Sequence, residues 1–167
     1  MPEPWLRGPL PGIPSLLQPA GHTLVMAQED VERALSELTE EQLWLRPHGV
    51  ASVGFHVAHL AGSTDRLFTY ARGEVLSEAQ RTQLEREAAV DETRPSKDVL
   101  LGAWRETVKD SLQRLASTPE STLSEPRLVG RAKLPSTVLG LLFHAAEHAS
   151  RHTGQIVTTA KLVRGQP

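Results

Sequence analysis

Apolar residues recur at steps of three and four along four stretches of this chain, the spacing that gathers side chains on one face of an α-helix. From about Pro19 to Leu38 the stripe is Leu24, Ala27, Val31, Leu35 and Leu38. From about 53 to 72 it is Val53, Val57, Leu60, Thr64 and Leu67. From about 97 to 117 it is Leu101, Trp104, Val108, Leu112 and Leu115, and from about 137 to 163 it is Val138, Leu142, Ala145, Ala149, Ile156 and Val163. The ends carry the expected punctuation. Ser52, Ser96 and Ser136 stand where an N-cap hydroxyl belongs, Asp98 falls in a first turn where the helix dipole favours an anion, and Gly73 is a stop. Thr39-Glu-Glu-Gln42 reads as a capping box that opens a short helical turn, and Ser77-Glu-Ala-Gln80 as a second one inside the polar crossover of residues 75–95.

These elements predict an all-α fold, a four-helix bundle with one long crossover between the second and third helices. Residues 117–135, with Pro119, Pro126, Gly130 and Pro135, read as a loop, and no pair of strands is convincing. Six prolines within residues 1–19 exclude a regular helix there and predict an extended arm, lying on the bundle or on a neighbouring subunit. Residues 20–167 then form a single bundle domain.

Composition narrows the function. The formal net charge of the 167 residues is -2 with Lys and Arg scattered, so the basic stripe of a nucleic-acid surface is missing. No apolar run approaches the ~18 residues of a membrane span, and the N-terminus has no signal-peptide pattern. The expectation is a cytoplasmic enzyme or binding protein, with a small-molecule substrate rather than nucleic acid or membrane as its partner. The absence of cysteine excludes thiolate ligands and a cysteine nucleophile. A homodimer through the arm or a bundle face is also expected.

Histidine is the residue that changes the picture. Five of the seven fall in two short segments, Phe55-His56-Val57-Ala58-His59-Leu60-Ala61 and His144-Ala-Ala-Glu-His148-Ala-Ser-Arg-His152. Residues four apart lie one turn apart on the same side of a helix, so two imidazoles of the second segment reach one metal ion without bending the backbone. On the helical wheel His152 falls inside the apolar stripe, His148 also faces the interior, and His144 lies at the margin. A buried imidazole is costly unless something satisfies it. On the other helix His56 lies nearer the stripe than His59, and periodicity does not choose between them. Glu147 points away from the stripe and reads as a solvent-facing charge. Gln155 reads equally as a partner of a ligand imidazole or as a polar flank. Asp65 and Tyr70 read as boundary residues, Ser63 carries no assignment, and His22 and His48 read as surface or boundary histidines.

Two segments resemble the DinB/YfiT-like superfamily of helical, metal-dependent proteins. They are Leu38 to Gly73, containing Arg46-Pro47, Ser52-Val53-Gly54-Phe55-His56-Val57-Ala58-His59-Leu60-Ala61 and Tyr70 to Gly73, and His148-Ala-Ser-Arg-His152-Thr-Gly-Gln155-Ile156. In that family a histidine followed by Leu-Ala on the second helix joins a His-x-x-x-His pair just before Gly-Gln on the fourth. The resemblance spans residues 20–163, and it implies that His59, His148 and His152 bind a divalent metal. Thr153 stands where the family usually has a bulky or basic residue.

Three neutral imidazoles leave open coordination positions, the pattern of a catalytic rather than a closed structural site. Zn or Ni suits imidazole best. Such an ion acidifies bound water, which supports a hydrolase. Several members of the family are similar to transferases that use a low-molecular-weight thiol, which here would be a cosubstrate. The alternative is a non-catalytic helical-bundle binding protein with a vestigial or structural metal site. A di-metal carboxylate bundle would need Glu-x-x-His motifs, and neither inner face carries one.

Overall fold

The computed structural model describes residues 2–165. The chain forms α1 (Gln18–Ser36), the single turn α2 (Glu40–Leu43), α3 (Val53–Ala71), α4 (Glu78–Ala88), the turn α5 (Val90–Thr93), α6 (Lys97–Ser117), a hairpin of β1 (Pro126–Val129) and β2 (Leu134–Thr137), and α7 (Val138–Arg164). The four long helices are the four amphipathic stretches, and the fold is an all-α bundle. Helix α3 packs on α7 and α6, and α1 packs on the same two helices, so α1 and α3 lie across the bundle from one another. The apolar stripes meet in one core. Leu24, Val31 and Leu35 of α1, Val57, Leu60 and Phe68 of α3, Trp104 and Leu115 of α6, and Ala145, Ala149 and Ile156 of α7 are all buried there. Each large side chain so enclosed contributes about 1.5–3 kcal/mol. Leu67 and Leu112 are half-buried at its edge.

The caps explain where the helices start. Ser52 Oγ accepts the Phe55 amide at 3.0 Å, Ser96 Oγ accepts that of Val99, and Thr39 and Ser77 form reciprocal capping boxes with Gln42 and Gln80. The start of α7 differs from the sequence expectation. Thr137, not Ser136, is the cap and accepts the Gly140 amide at 3.0 Å. Ser136 is held in extended backbone opposite Arg127 by the antiparallel pairing of β1 and β2. That hairpin also corrects the reading of residues 117–135 as loop alone. Four residues per strand, with a proline in each, are too few to register as an alternating pattern.

The N-terminal arm lies against its own bundle. Two 3-10 turns, Pro4–Leu6 and Ser15–Leu17, bury Pro4 and Leu17. Arg7 pairs with Glu29 of α1 at 2.5 Å, and the His22 ring donates to the Gly8 carbonyl at 3.0 Å. The α4–α5 crossover covers the outer side of α3. Among the described residues no helix is long and apolar enough to cross a membrane.

Candidate metal centre

Helix α7 carries His148 and His152 one turn apart, with ring centroids 4.5 Å from each other. Helix α3, its most extensive packing partner, carries His56 and His59. The packing brings the His59 ring to 5.0 Å from that of His148 and 4.6 Å from that of His152. One ring nitrogen of each of these three residues lies within 4.8 Å of the other two. The Nε2 atoms of His59 and His148 stand 3.4 Å apart. Two nitrogens each ~2.0–2.1 Å from a tetrahedral ion are separated by about 3.3–3.4 Å, so this pair already has the spacing of shared ligands.

The second nitrogen of each ring is accounted for. His59 Nδ1 is 2.5 Å from Glu87 Oε1, and a carboxylate there accepts the Nδ1 proton. His148 Nδ1 is 3.4 Å from Ser63 Oγ, whose own proton goes to the His59 carbonyl at 2.6 Å, leaving the oxygen to accept. His152 Nδ1 is 3.0 Å from His56 Nδ1, so one of that pair donates to the other. With Nδ1 protonated toward Glu87 and Ser63, Nε2 keeps the lone pair on His59 and His148, and it does so on His152 in the tautomer whose Nδ1 proton goes to His56.

Electrostatics favours the neutral, ligating form. Burial lowers the His152 pKa from 6.5 to about 4, with further lowering from the neighbouring His59, His148 and His56. Burial and the nearby His59 push His148 and His56 down as well. Glu87 behaves oppositely. Its burial resists ionisation, but the hydrogen bonds from His59 and Arg66 outweigh that and keep it a carboxylate below the usual range. The His59 side chain is 23% exposed, so the cluster is reached from solvent.

The remaining sequence candidates fall around this cluster in distinct ways. His56 is buried behind His152, not beside His59 and His148. His144 is exposed and pairs with Glu147 at 3.2 Å, and Glu147 also pairs with Arg151 along the outer face of α7. Gln155 is exposed. Asp65 is taken up by Gln80 at 2.6 Å and Arg114 at 3.4 Å, and Tyr70 packs on the core edge. His48 is exposed in a turn with φ 53°.

Two contributors carried no signal in the sequence. Glu87 is one acidic residue in the polar run Glu85-Arg86-Glu87, and Arg66 is one basic residue on α3. Only the docking of α4 on α3 buries Glu87 and brings Arg66 Nη1 to 2.9 Å from its Oε2. Gly62 makes this approach feasible, because a Cβ there would collide with Glu87 Oε2 and lie 2.7 Å from Arg66 Nη1.

A helical bundle whose second and fourth long helices converge three histidines is the arrangement implied by the sequence resemblance, and the DinB superfamily model matches residues 23–156. The chain belongs to the DinB superfamily. The match takes in α3, α4, α6 and α7 as far as Ile156, and with them all three clustered imidazoles and Glu87. Among solved structures, this chain is similar to a conserved protein from Enterococcus faecalis, with a TM-score of 0.72, 22% identity, and coverage of 89% of this chain and 97% of that one. At that identity the likeness shows the fold alone. None of the curated proteins matches the sequence. Membership in the DinB superfamily rests on the sequence match, with which the all-α fold agrees, and the donor set fits a divalent ion: one ring nitrogen of each of three imidazoles lies within 4.8 Å of the other two.

Proposed function

We propose that this DinB-superfamily chain is a metal-dependent enzyme in which His59, His148 and His152 hold one divalent ion, Zn or Ni, and a small nucleophile is activated beside it. The observation that carries the reading is the convergence of His59, His148 and His152, one ring nitrogen of each within 4.8 Å of the other two, with Glu87, Ser63 and His56 at their Nδ1 atoms. Three imidazoles leave coordination positions open, and a divalent ion so held lowers the pKa of a bound water or thiol, which serves hydrolysis or transfer to a low-molecular-weight thiol respectively. The chain itself contributes three things. It biases His148 and His152 toward the neutral form, it orients the three rings through their Nδ1 partners, and it keeps one side of the cluster open to an incoming small molecule. With no cysteine in the chain, any thiol nucleophile arrives as a cosubstrate.

Metal analysis tests the reading first. Protein purified without a histidine tag or added metal carries close to one divalent ion per chain. His59→Ala and His148→Ala lose it. Metal at background in the wild-type chain ends the enzyme reading and leaves the non-catalytic bundle. Metal-loaded protein assayed on activated esters and amides, and separately on a model electrophile with low-molecular-weight thiols, then decides between water and thiol as the nucleophile.

A further inference from the structure

Helix α4 is held to the bundle in an unusual way. Of its 11 residues, only Glu87 is buried. The remainder, exposed apart from the half-buried Gln80, contributes no apolar face, and the helix is strongly polar in composition. Near its N-terminus, Gln80 donates to Asp65 and Thr69 of α3 at 2.6 and 2.7 Å. Near its C-terminus, the Glu87 carboxylate binds His59 and Arg66, and just beyond it Val90 of α5 is buried. The attachment of α4 therefore depends on polar groups, and the most enclosed of them ends on an imidazole of the candidate metal centre.

We propose that Glu87 is a positioning residue for the metal centre, and that through it the docking of α4 and the binding of the ion are coupled. This rests on the metal reading of His59, His148 and His152. Oxygen Oε1 of Glu87 takes the Nδ1 proton of His59, which fixes the tautomer and turns Nε2 toward His148. Oxygen Oε2 is anchored by Arg66, so the carboxylate is itself oriented. Partners of this kind set the direction and basicity of a ligand imidazole, and their removal typically weakens metal binding about 10–100-fold. Coupling is reciprocal: if a docked Glu87 raises metal affinity, a bound ion stabilises the docked α4 by the same factor.

Three variants separate positioning from simple structural support. Glu87→Ala removes the acceptor. Glu87→Gln keeps an oxygen that can accept from His59 but loses the charge. Gly62→Ala touches no imidazole, and its added methyl group displaces the flexible ends of Glu87 and Arg66 while leaving the α3 backbone free to keep its course. Zn²⁺ affinity of each is measured by competition with a chromophoric chelator, alongside helical circular dichroism and the Co²⁺ absorption spectrum. Amide hydrogen exchange across residues 78–88 is followed with and without Zn²⁺.

The expected result is a Kd raised about 10–100-fold in Glu87→Ala and Gly62→Ala, with Glu87→Gln between these and wild type. The Co²⁺ spectrum changes in the same order. Exchange in α4 slows on adding Zn²⁺ to wild type and does not respond in Glu87→Ala. Kd values within about twofold of wild type in folded Glu87→Ala and Gly62→Ala, or α4 exchange indifferent to Zn²⁺ in wild type, overturn the coupling and leave the metal reading standing. A wild-type chain that binds neither Zn²⁺ nor Co²⁺ overturns both.

Discussion

Replacing His56 and His59 separately distinguishes a ligand from its support, although the two lie one turn apart on α3. His59→Ala removes a ring whose Nε2 lies 3.4 Å from that of His148, and with it one of the three proposed ligands. His56→Ala removes instead the ring 3.0 Å behind His152 Nδ1. In that variant all three Nε2 atoms remain, but the His152 ring loses the contact that holds its orientation. Loss of such a partner weakens metal binding about 10–100-fold. At about 1.4 kcal/mol per decade, that is roughly 1.4–2.8 kcal/mol. Because His56 is 7% exposed, the same truncation also leaves a small buried void and a polar group short of a partner, a stability cost on the order of 1–3 kcal/mol. The assay is Zn²⁺ titration against a chelator, with thermal unfolding of the metal-free proteins in parallel. His56→Ala is expected to bind Zn²⁺ weakly and with one-to-one stoichiometry, and to melt earlier than wild type. His59→Ala is expected to lose stoichiometric binding and also to melt earlier than wild type, since the buried Glu87 carboxylate is left with Arg66 alone, so metal binding is the readout that separates the two variants. The reverse order, with metal abolished in His56→Ala and retained in His59→Ala, refutes the assignment of Nε2 lone pairs and makes His56 the ligand.

His144→Ala keeps its metal with Kd within about twofold of wild type, because its exposed pairing with Glu147 contributes little; loss of the ion there means the wrong i, i+4 pair was chosen. Gly54→Ala places a methyl group 2.5–2.8 Å from the Trp44 ring, which is rigid and packed in the core, and lowers stability by about 1–3 kcal/mol in chemical denaturation; an unchanged midpoint counts against that close approach. The metal-free protein is expected to lose stability on acidification. With His152 at about 4 in the folded chain against an ordinary 6.5, the unfolded chain takes up the proton first, so stability is full above 6.5 and declines as pH falls toward 4. Thermal melting in metal-free buffer across that range checks this, and in His152→Gln the slope is shallower.

The sequence by itself determined what depends on neighbours along the chain. The 3.6-residue period fixed which faces of α1, α3, α6 and α7 are buried, and short polar side chains fixed where most helices begin, because a cap hydroxyl needs only the amide three residues ahead. The same locality put His148 and His152 on one side of α7. Tertiary structure decided the rest. Ser136 loses the cap to Thr137 because a partner strand holds it extended. The choice between His56 and His59 depends on the rotation of α3 against α7, which the stripe defines only coarsely: the better-buried ring becomes the support, and the one on the flank meets His148. Glu87 has no local signature, since it is one charge among several in the polar run that also holds Glu85 and Arg86. Its burial comes from where the crossover lands on α3 and from the missing side chain at Gly62 that lets it approach. Periodicity is a property of one helix, whereas a three-histidine cluster made by two helices and braced by a third depends on their relative placement, which no single segment encodes.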